Sequence, residues 1–521
     1  MKVRRLALLL AISVAGLGAA PVPETVDLLI RGGTIYTGSA APFVGDVAVA
    51  GDRIRAVGRR LPFTARRVVD ARGMIVAPGF IDPHTHAGEQ LASDDAKARL
   101  IPAFLMQGVT TAFIGNDGRG EADMAAVLGR AAGKPVGINY AAYVGFGTVR
   151  KAVVGEEDRA PTPAELGRMK QMVSAAMCQG ALGLSTGLFY APQSFAKTDE
   201  VVALAREAGA RGGVYDSHIR DESSYTVGLL AAVDEAIAVG REARLPVNIS
   251  HIKALGVDVH GQAPVIIAKV EAAQRAGQKV TADQYPWSAS GTSLVAALIP
   301  LWAQDGGRSA ILKRFDDPAL AARLRTGIVE NLRKRGGAAS LLITEGDHKG
   351  RTLEQVSAGH GGDPVAAAMA VIRVKDPAVA SFNQTEPDIA AFMRRPWVMT
   401  GSDASIGHPR AFGSFARKYS EYVVARKVLK LREFIERSTA LTADTFRLTD
   451  RGRLRPGAFA DILVFDPKRF AARANYEQPT LLAEGVRTVL VNGVVAVDNG
   501  ALTGAAAGRA LARTPTPGTC R

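Results

Sequence analysis

The sequence predicts an α/β fold: a (β/α)8 TIM-type barrel with a small β-sandwich built from both chain ends and a long insertion between barrel strands 7 and 8. Three observations predict it. From Gly79 to about Asp450, short apolar strands alternate with Ala/Glu/Arg-rich helical stretches, the texture of parallel βα units. The regions on either side are instead short β-rich runs separated by Gly turns. Histidines and aspartates recur at the ends of the apolar strands, which in this fold form one mouth.

The chain has 521 residues, 47% hydrophobic and 22% charged, ordinary globular usage and enough for a barrel with additions. It opens on "MKVRR", then an apolar run from Leu6 to Leu17, then Gly18, Ala19 and Ala20. That is the order of a secretory signal peptide over residues 1–20, so an exported protein, periplasmic or secreted, is expected. No later stretch has the 18 or more apolar residues of a membrane span, and no stable membrane insertion is expected once the signal is removed. "VDLLIRGGTIYTG", "DVAVAGDRIRAVG" and "RRVVDARGMIVAPG" supply the first part of the sandwich, residues 26–78. The barrel occupies residues 79–450, with candidate strands "GFIDPHT", "VTTAFIGN", "VGINYAAYV", "ALGLSTGL", "GVYDSHI", "VNISHIK", "KVTADQYPW" and "WVMTGSDA". The excursion from Ser288 to Pro396 is too long for a plain loop and is a candidate lid. "GRLRPGAFADILVFDP" and "VRTVLVNGVVAVDNG" return to the sandwich over residues 451–505, and residues 506–521 read as a flexible tail.

Two cysteines are little evidence of a disulfide framework. Cys178, in the helical "KQMVSAAMCQGALGL", reads as a small core residue, and Cys520 lies in the tail. The net charge is +14, but the basic residues are scattered among acids and form no nucleic-acid motif. A small-molecule substrate, with some attraction for anions, fits this charge better.

The strand ends carry the chemistry. His84 and His86 end strand one, Asn116 and Asp117 strand two, His218 strand five, His251 strand six and Asp403 strand eight. Side chains two apart on a strand face the same way, so His84 and His86 can reach one ion. Four of the eight histidines fall at these ends together with two aspartates. Imidazole with carboxylate suits zinc or a similar divalent ion, one or two per chain.

"GFIDPHTH", the strand-five and strand-six histidines and the strand-eight aspartate together resemble the amidohydrolase superfamily. "GALGLSTGLFYAP", "HIRDES", "ISHIKALG", "YPWSASGTSL" and "SDASIGHPRAFGSFAR" resemble, in order, blocks of the N-acyl-D-amino-acid deacylases (D-aminoacylases). The resemblance covers nearly the whole mature chain. It implies metal-dependent hydrolysis of the amide of N-acyl-D-amino acids, or of dipeptides ending in a D-residue. Asp403 would act as general base and then acid. A tight site would comprise Asp117, His218 and His251, and a weaker one His84 and His86, with Asp403 in reach. Arg410 of "HPR" matches the family's carboxylate-binding arginine. Tyr285 and Lys253 would add donors, and Tyr190 would line the side-chain pocket.

Two positions depart from that family. Its "GNCG" block reads "GNDG" here, so Asp117 stands where a thiolate ligand would, a harder donor. The alternative for Asp117 is a turn residue before Gly118. The family's serine after the strand-seven tyrosine does not align, and Gly291 falls near it. A cyclic-amide hydrolase of dihydroorotase or hydantoinase type is a second reading. The absence of lysine from "ALGLSTGL" and the "HPR" block count against it. The complete set of histidines with Asp403 counts against a third, a non-catalytic binding protein.

Overall fold

The computed structural model describes residues 24–405 and 407–520. The expected signal peptide lies outside these residues. Each candidate barrel strand contains an observed strand: Phe80–Asp82, Val109–Ile114, Asn139–Ala142 with Val144–Gly145, Gly183–Gly187, Val214–His218, Val247–Ile249, Val280–Gln284 and Val398–Thr400. All pair in parallel, in two arcs. The third strand serves both, its first half pairing with Val109–Ile114 and Val144–Gly145 with Gly183–Gly187. At the opposite edges Thr85 bridges Ala404 in parallel, with Asp403 N donating to His84 O at 2.9 Å.

Helices cover the outer face, and this explains the apolar strand texture. Val109–Ile114 is buried at every position, because a parallel strand in such a fold has no solvent face. The helices have ordinary local causes. Pro163–Cys178 starts from a capping box of Thr162 and Glu165 with proline in its first turn, which satisfies two otherwise unpaired N–H groups. Thr198–Ala210 begins with Asp199 and Glu200, favourable at the positive end of the helix dipole.

The chain ends build one nine-stranded sheet. Strand Thr25–Ile35 is its pivot. Its first half pairs with Thr64–Asp70 and its second half with Ile75–Pro78, with a register break between Ile30 and Gly33. Ile462–Phe465 from the far end of the sequence pairs with Ile75–Pro78. Leu28, Ile30, Val47, Val49, Ile462 and Val464 form the sheet's own apolar cluster. Leu463, Phe465, Val489 and Val491 face the barrel and join its core.

The insertion is a unit with its own core. Ala378–Phe382 lies between Ala289–Ser293 and Leu341–Ile343 in an antiparallel sheet, covered by Gly307–Phe315, Ala321–Lys334 and Pro364–Val374. Leu294, Ile328, Leu341, Ile372 and Val379 pack in a cluster separate from the barrel's. It ends earlier than the sequence suggests. Helix Glu386–Met393 packs on Ala263–Arg275 and belongs to the barrel's helical ring.

Two expectations are corrected. Cys178 is not a solitary core residue, because it forms a disulfide with Cys520. The tail is correspondingly not loose. Backbone N–H groups of Gly508, Leu511, Arg513 and Thr516 donate to Val136 O, Tyr140 O, Gly180 O and Arg211 O. The segment is a strap across the starts of strands three to five. A Pro/Gly/Thr composition conceals such a strap, because its partners are backbone groups distant in sequence.

Candidate active site

The site grows from three residues in unusual backbone conformations. Asp117, His251 and Asp403 have φ of 57°, 36° and 48°. Left-handed backbone is costly for such residues and is retained mainly where the surroundings enforce it, often at functional sites. Each directs its side chain to one point. Asp117 Oδ1 lies 3.3 Å from His84 Nε2, 3.6 Å from His218 Nδ1 and 3.5 Å from His251 Nε2. Asp117 Oδ2 lies 3.3 Å from His86 Nε2, and Asp403 Oδ1 lies 3.2 Å from the same nitrogen. Thr85, between the two histidines, turns away and donates to Phe113 O at 2.6 Å, as strand alternation requires. All six predicted ligand residues are therefore brought together, and Asp117 is central to the cluster.

The cluster fits a divalent cation. Ligand atoms of His84, Asp117, His251 and Asp403 all lie within 4.8 Å of one another. His84 Nε2 and Asp117 Oδ1 are buried without a hydrogen-bond partner, a state that costs free energy unless another group satisfies them. The electrostatics agree. Burial opposes charge on His84, yet Asp117, Asp283 and Asp403 outweigh it and raise the imidazole to about 10. Burial likewise works against the Asp117 carboxylate, but His84, His218 and His251 hold it well below the usual range. His251 is raised likewise, to about 9, whereas burial, with His251 beside it, lowers His218. A buried site whose carboxylates hold two of its imidazoles charged is one that positive charge stabilises.

A second layer fixes the first. Asp82 Oδ1 accepts from the backbone N of His84 and of Ser402 at 3.3 and 3.0 Å. Asp283 accepts from His251 N at 3.0 Å and from Asn248 at 2.8 Å. Asp216 accepts from Asn116 and Asn248 at 3.0 and 2.8 Å. Burial pushes the Asp82 carboxyl up to about 7. On the other side Glu222 Oε1 lies 3.1 Å from His251 Nδ1, the carboxylate–histidine arrangement that orients metal ligands. Lys253 Nζ donates to the same Oε1 at 2.5 Å and lies 2.7 Å from His251 Nδ1. Lys253 is thus already engaged by Glu222.

Above the cluster opens a cavity of about 330 Å³, lined in part by Tyr190, Tyr285, Lys253 and Arg410. Arg410 is 2% exposed. Its Nη1 lies 2.6 Å from Asp403 Oδ2, and its Nη2 donates to Ser405 Oγ at 2.9 Å. The Tyr285 ring centroid lies 5.1 Å from its Cζ. His408 positions its backbone by accepting from Arg410 N at 3.1 Å. Burial, with Arg410 nearby, holds His408 well below its ordinary value, so it is neutral and its Nε2–H donates to Ala289 O at 3.1 Å. Gly291 explains the misaligned serine. A Cβ there would stand 2.8 Å from Arg410 Nη2, so the arginine occupies that space. Tyr190 packs 4.8 Å from the His218 ring, with its hydroxyl 3.4 Å from Thr292 Oγ1.

The amidohydrolase family model matches residues 67–497, which includes every residue of this site. The chain belongs to the amidohydrolase family. It is 34% identical to the D-aminoacylase of Alcaligenes xylosoxydans xylosoxydans, over 94% of this chain and 98% of that one. It is 32% identical to the N-acyl-D-glutamate deacylase of the same organism, over 90% and 93%. Among solved structures, a D-aminoacylase with a binuclear metal centre superposes with TM-score 0.80 at 32% identity, covering 94% of this chain and 100% of that one. The N-acyl-D-glutamate deacylase of Bordetella bronchiseptica, solved with zinc and a phosphonate mimic of the tetrahedral intermediate, gives TM-score 0.80 at 31% identity, with the same coverage. A D-hydantoinase shares the fold, at TM-score 0.57 and 15% identity.

Sequence reasoning missed part of this amidohydrolase site: Asp82, Asp216, Asp283, Asn248, Glu222, Ser405 and His408. A signal existed for several. Asp82, Asp216 and Asp283 each precede a named residue by two, which places them on the same strand face as His84, His218 and Tyr285. Glu222 follows His218 by four within the quoted "HIRDES" block, but no strand or helix period connects the two.

Proposed function

We propose that this amidohydrolase cleaves the amide bond of N-acyl-D-amino acids, or of dipeptides ending in a D-residue. The carrying observation is the Asp403–Arg410 pair beside the histidine–Asp117 cluster, 2.6 Å between charged atoms. A zinc ion or similar divalent cation held by Asp117, His218 and His251, with His84, His86 and Asp403 beside them, would supply a nucleophilic water at neutral pH and polarise the amide carbonyl. Asp403 would accept the proton of that water. Burial works to protonate Asp403, but Arg410, His251 and His86 outweigh it and keep the carboxylate ionised and able to accept. The same carboxyl would then deliver the proton to the departing amine nitrogen. Arg410 would grip the substrate's α-carboxylate with its planar fork, and its contact with Asp403 fixes the distance between that carboxylate and the base. Tyr285 would support the arginine from below, and Tyr190 would line the side-chain pocket. Lys253 would act mainly through Glu222 and His251.

The finer architecture belongs to this reading. The two arcs would close as one eight-stranded barrel through Thr85 and Ala404. The terminal sheet would fold as a sandwich, and the insertion would act as a lid over Asp403 and Arg410. Export to an oxidising compartment is supported by the leader pattern and by the Cys178–Cys520 disulfide. N-terminal sequencing of native protein should begin near residues 19 to 24, and a start at Met1 would exclude export by cleavage.

The deciding assay offers purified protein paired N-acetyl-D- and N-acetyl-L-amino acids, together with hydantoin and dihydroorotate. Turnover of the D-acyl compounds alone is expected. It should be lost to a chelator and restored by zinc. Turnover of the cyclic amides alone would replace the proposal with the cyclic-amide reading.

A further inference from the structure

We infer that the cavity contains a second anion subsite, formed by Arg335 and Tyr225, for a carboxylate other than the one proposed to meet Arg410. This rests on the deacylase reading and extends it to a substrate class, D-acyl compounds with a second, distal carboxylate.

Arg335 follows helix Ala321–Lys334 of the insertion and lines the cavity above the histidine cluster. It is 2% exposed, yet its Nη1 has no hydrogen-bond partner. Its one side-chain bond runs from Nε to Ala297 O, at 3.1 Å. Among the described residues no carboxylate forms an ion pair with it. A guanidinium presents five donors in a rigid fork, and burying one without a counter-charge is costly.

Two carboxylates that also line the cavity, Asp376 and Glu345, make no ion pair with Arg335. Asp376 accepts from Val295 N at 2.8 Å. Glu345 faces Lys375 at 4.0 Å and Ala378 N at 3.5 Å. Tyr225, from the segment after strand five, also lines the cavity. Its hydroxyl is buried without a partner, and its ring centroid lies 5.5 Å from Arg335 Cζ. Two residues from different elements, each with an unpaired buried donor, thus line one space.

The subsite is held in place rather than floating. Arg333 pairs with Asp258 at 2.8 Å, Lys334 Nζ donates to Ser224 O at 2.8 Å, and Val257 N donates to Lys334 O at 3.0 Å. The end of the insertion helix is therefore locked to the loops after strands five and six. Phe189 connects the subsite to the chemistry, 5.9 Å from the His218 ring and 5.5 Å from that of Tyr225. A substrate spanning from the histidines along Phe189 would present its far end to Arg335. A fork of N–H donors matches a carboxylate bidentately.

The second carboxylate has two possible sources, the D-side chain or the acyl group. Two substrate pairs distinguish them, used with zinc-loaded full-length protein. N-acetyl-D-glutamate is compared with N-acetyl-D-glutamine, and N-succinyl-D-leucine with its terminal amide. In one pair the wild type should favour the acid in kcat/KM by about 10²-fold or more, since the amide keeps one acceptor oxygen but lacks the charge and the second oxygen that a bidentate fork pairs with. Arg335→Met should abolish that ratio, and Tyr225→Phe should reduce it several-fold. Each ratio is taken within one protein preparation, so a partly folded variant still reports it. Equal use of acid and amide in both pairs, or a ratio that survives Arg335→Met, would overturn the subsite and leave the deacylase standing. No turnover of any of the four would remove the deacylase reading and the subsite with it.

Discussion

Asp403 and Arg410 lie 2.6 Å apart, so their variants are informative as a pair. Asp403→Asn keeps the shape but cannot accept a proton, and kcat should fall by roughly 10²-fold or more. Arg410→Ala should instead erase the preference for N-acyl-D-amino acids over their α-amides. A retained preference would transfer the grip to Lys253, which would first have to leave Glu222. Asp117 separates ligand from turn residue. Asp117→Cys should keep bound metal by elemental analysis, and Asp117→Ala should lose it. If Asp117→Ala retained a full complement, the central position of this carboxylate would have no metal role. The six ligand candidates were legible because histidine is scarce here and strand ends converge. Glu222, His408 and Arg335 were not, because their importance comes from what they touch. Nothing in "HIRDES" says that Glu222 meets a lysine from strand six, and nothing in "NLRKRG" says which arginine turns inward.

At the scale of elements, all eight barrel strands were readable because parallel strands buried on both faces leave unbroken apolar runs. The strap and the limit of the insertion were not. A strap held by backbone bonds needs no side-chain pattern, and helix Glu386–Met393 carries no mark of the unit to which it belongs. The strap yields a clear expectation. Cys520→Ser removes its covalent anchor to Cys178, at the starts of the strands rather than at the ends that carry the proposed site. It leaves hydrogen bonds such as Arg513 N to Gly180 O, the packing of Ala507, Ala510 and Leu511, and the Arg509–Asp52 pair. Limited proteolysis should then clip residues 506–521 readily, while turnover persists. Equal resistance in wild type and variant would mean that the non-covalent contacts alone hold the strap. The insertion is tested in the opposite sense. If it acts as a lid, a bound product analogue should slow cutting between Ser288 and Pro396, because ordering at the cavity mouth protects the backbone. Unchanged cutting would argue against closure.

At the scale of the whole molecule, one buried charge should leave a visible pH signature in stability. Lys418 is fully buried, and its Nζ has no hydrogen-bond partner. Burial, with Arg437 nearby and only Asp283 opposing, lowers its ammonium from 10.5 to about 7. The unfolded chain retains the ordinary value, so between about pH 7 and 10.5 the unfolded state holds the extra proton. Stability therefore rises with pH across that window, and the penalty is complete below about pH 7, where the folded protein must bury a charged lysine. Lys418→Met has similar length and no charge. At about 1.4 kcal/mol per unit of displacement, relaxation included, it should stabilise by a few kcal/mol at pH 6. The gain over wild type should shrink steadily as pH climbs through that window and vanish where lysine is neutral in both states. Denaturant melts of both proteins at pH 6, 8 and 10 measure this directly, and taking the difference cancels every other titrating group. A constant difference across the three would mean that Lys418 keeps its proton in the fold, with a counter-charge or water meeting Nζ. A loss of stability at pH 6 would mean that its ammonium supports the packing between strand seven and the helix that follows strand eight.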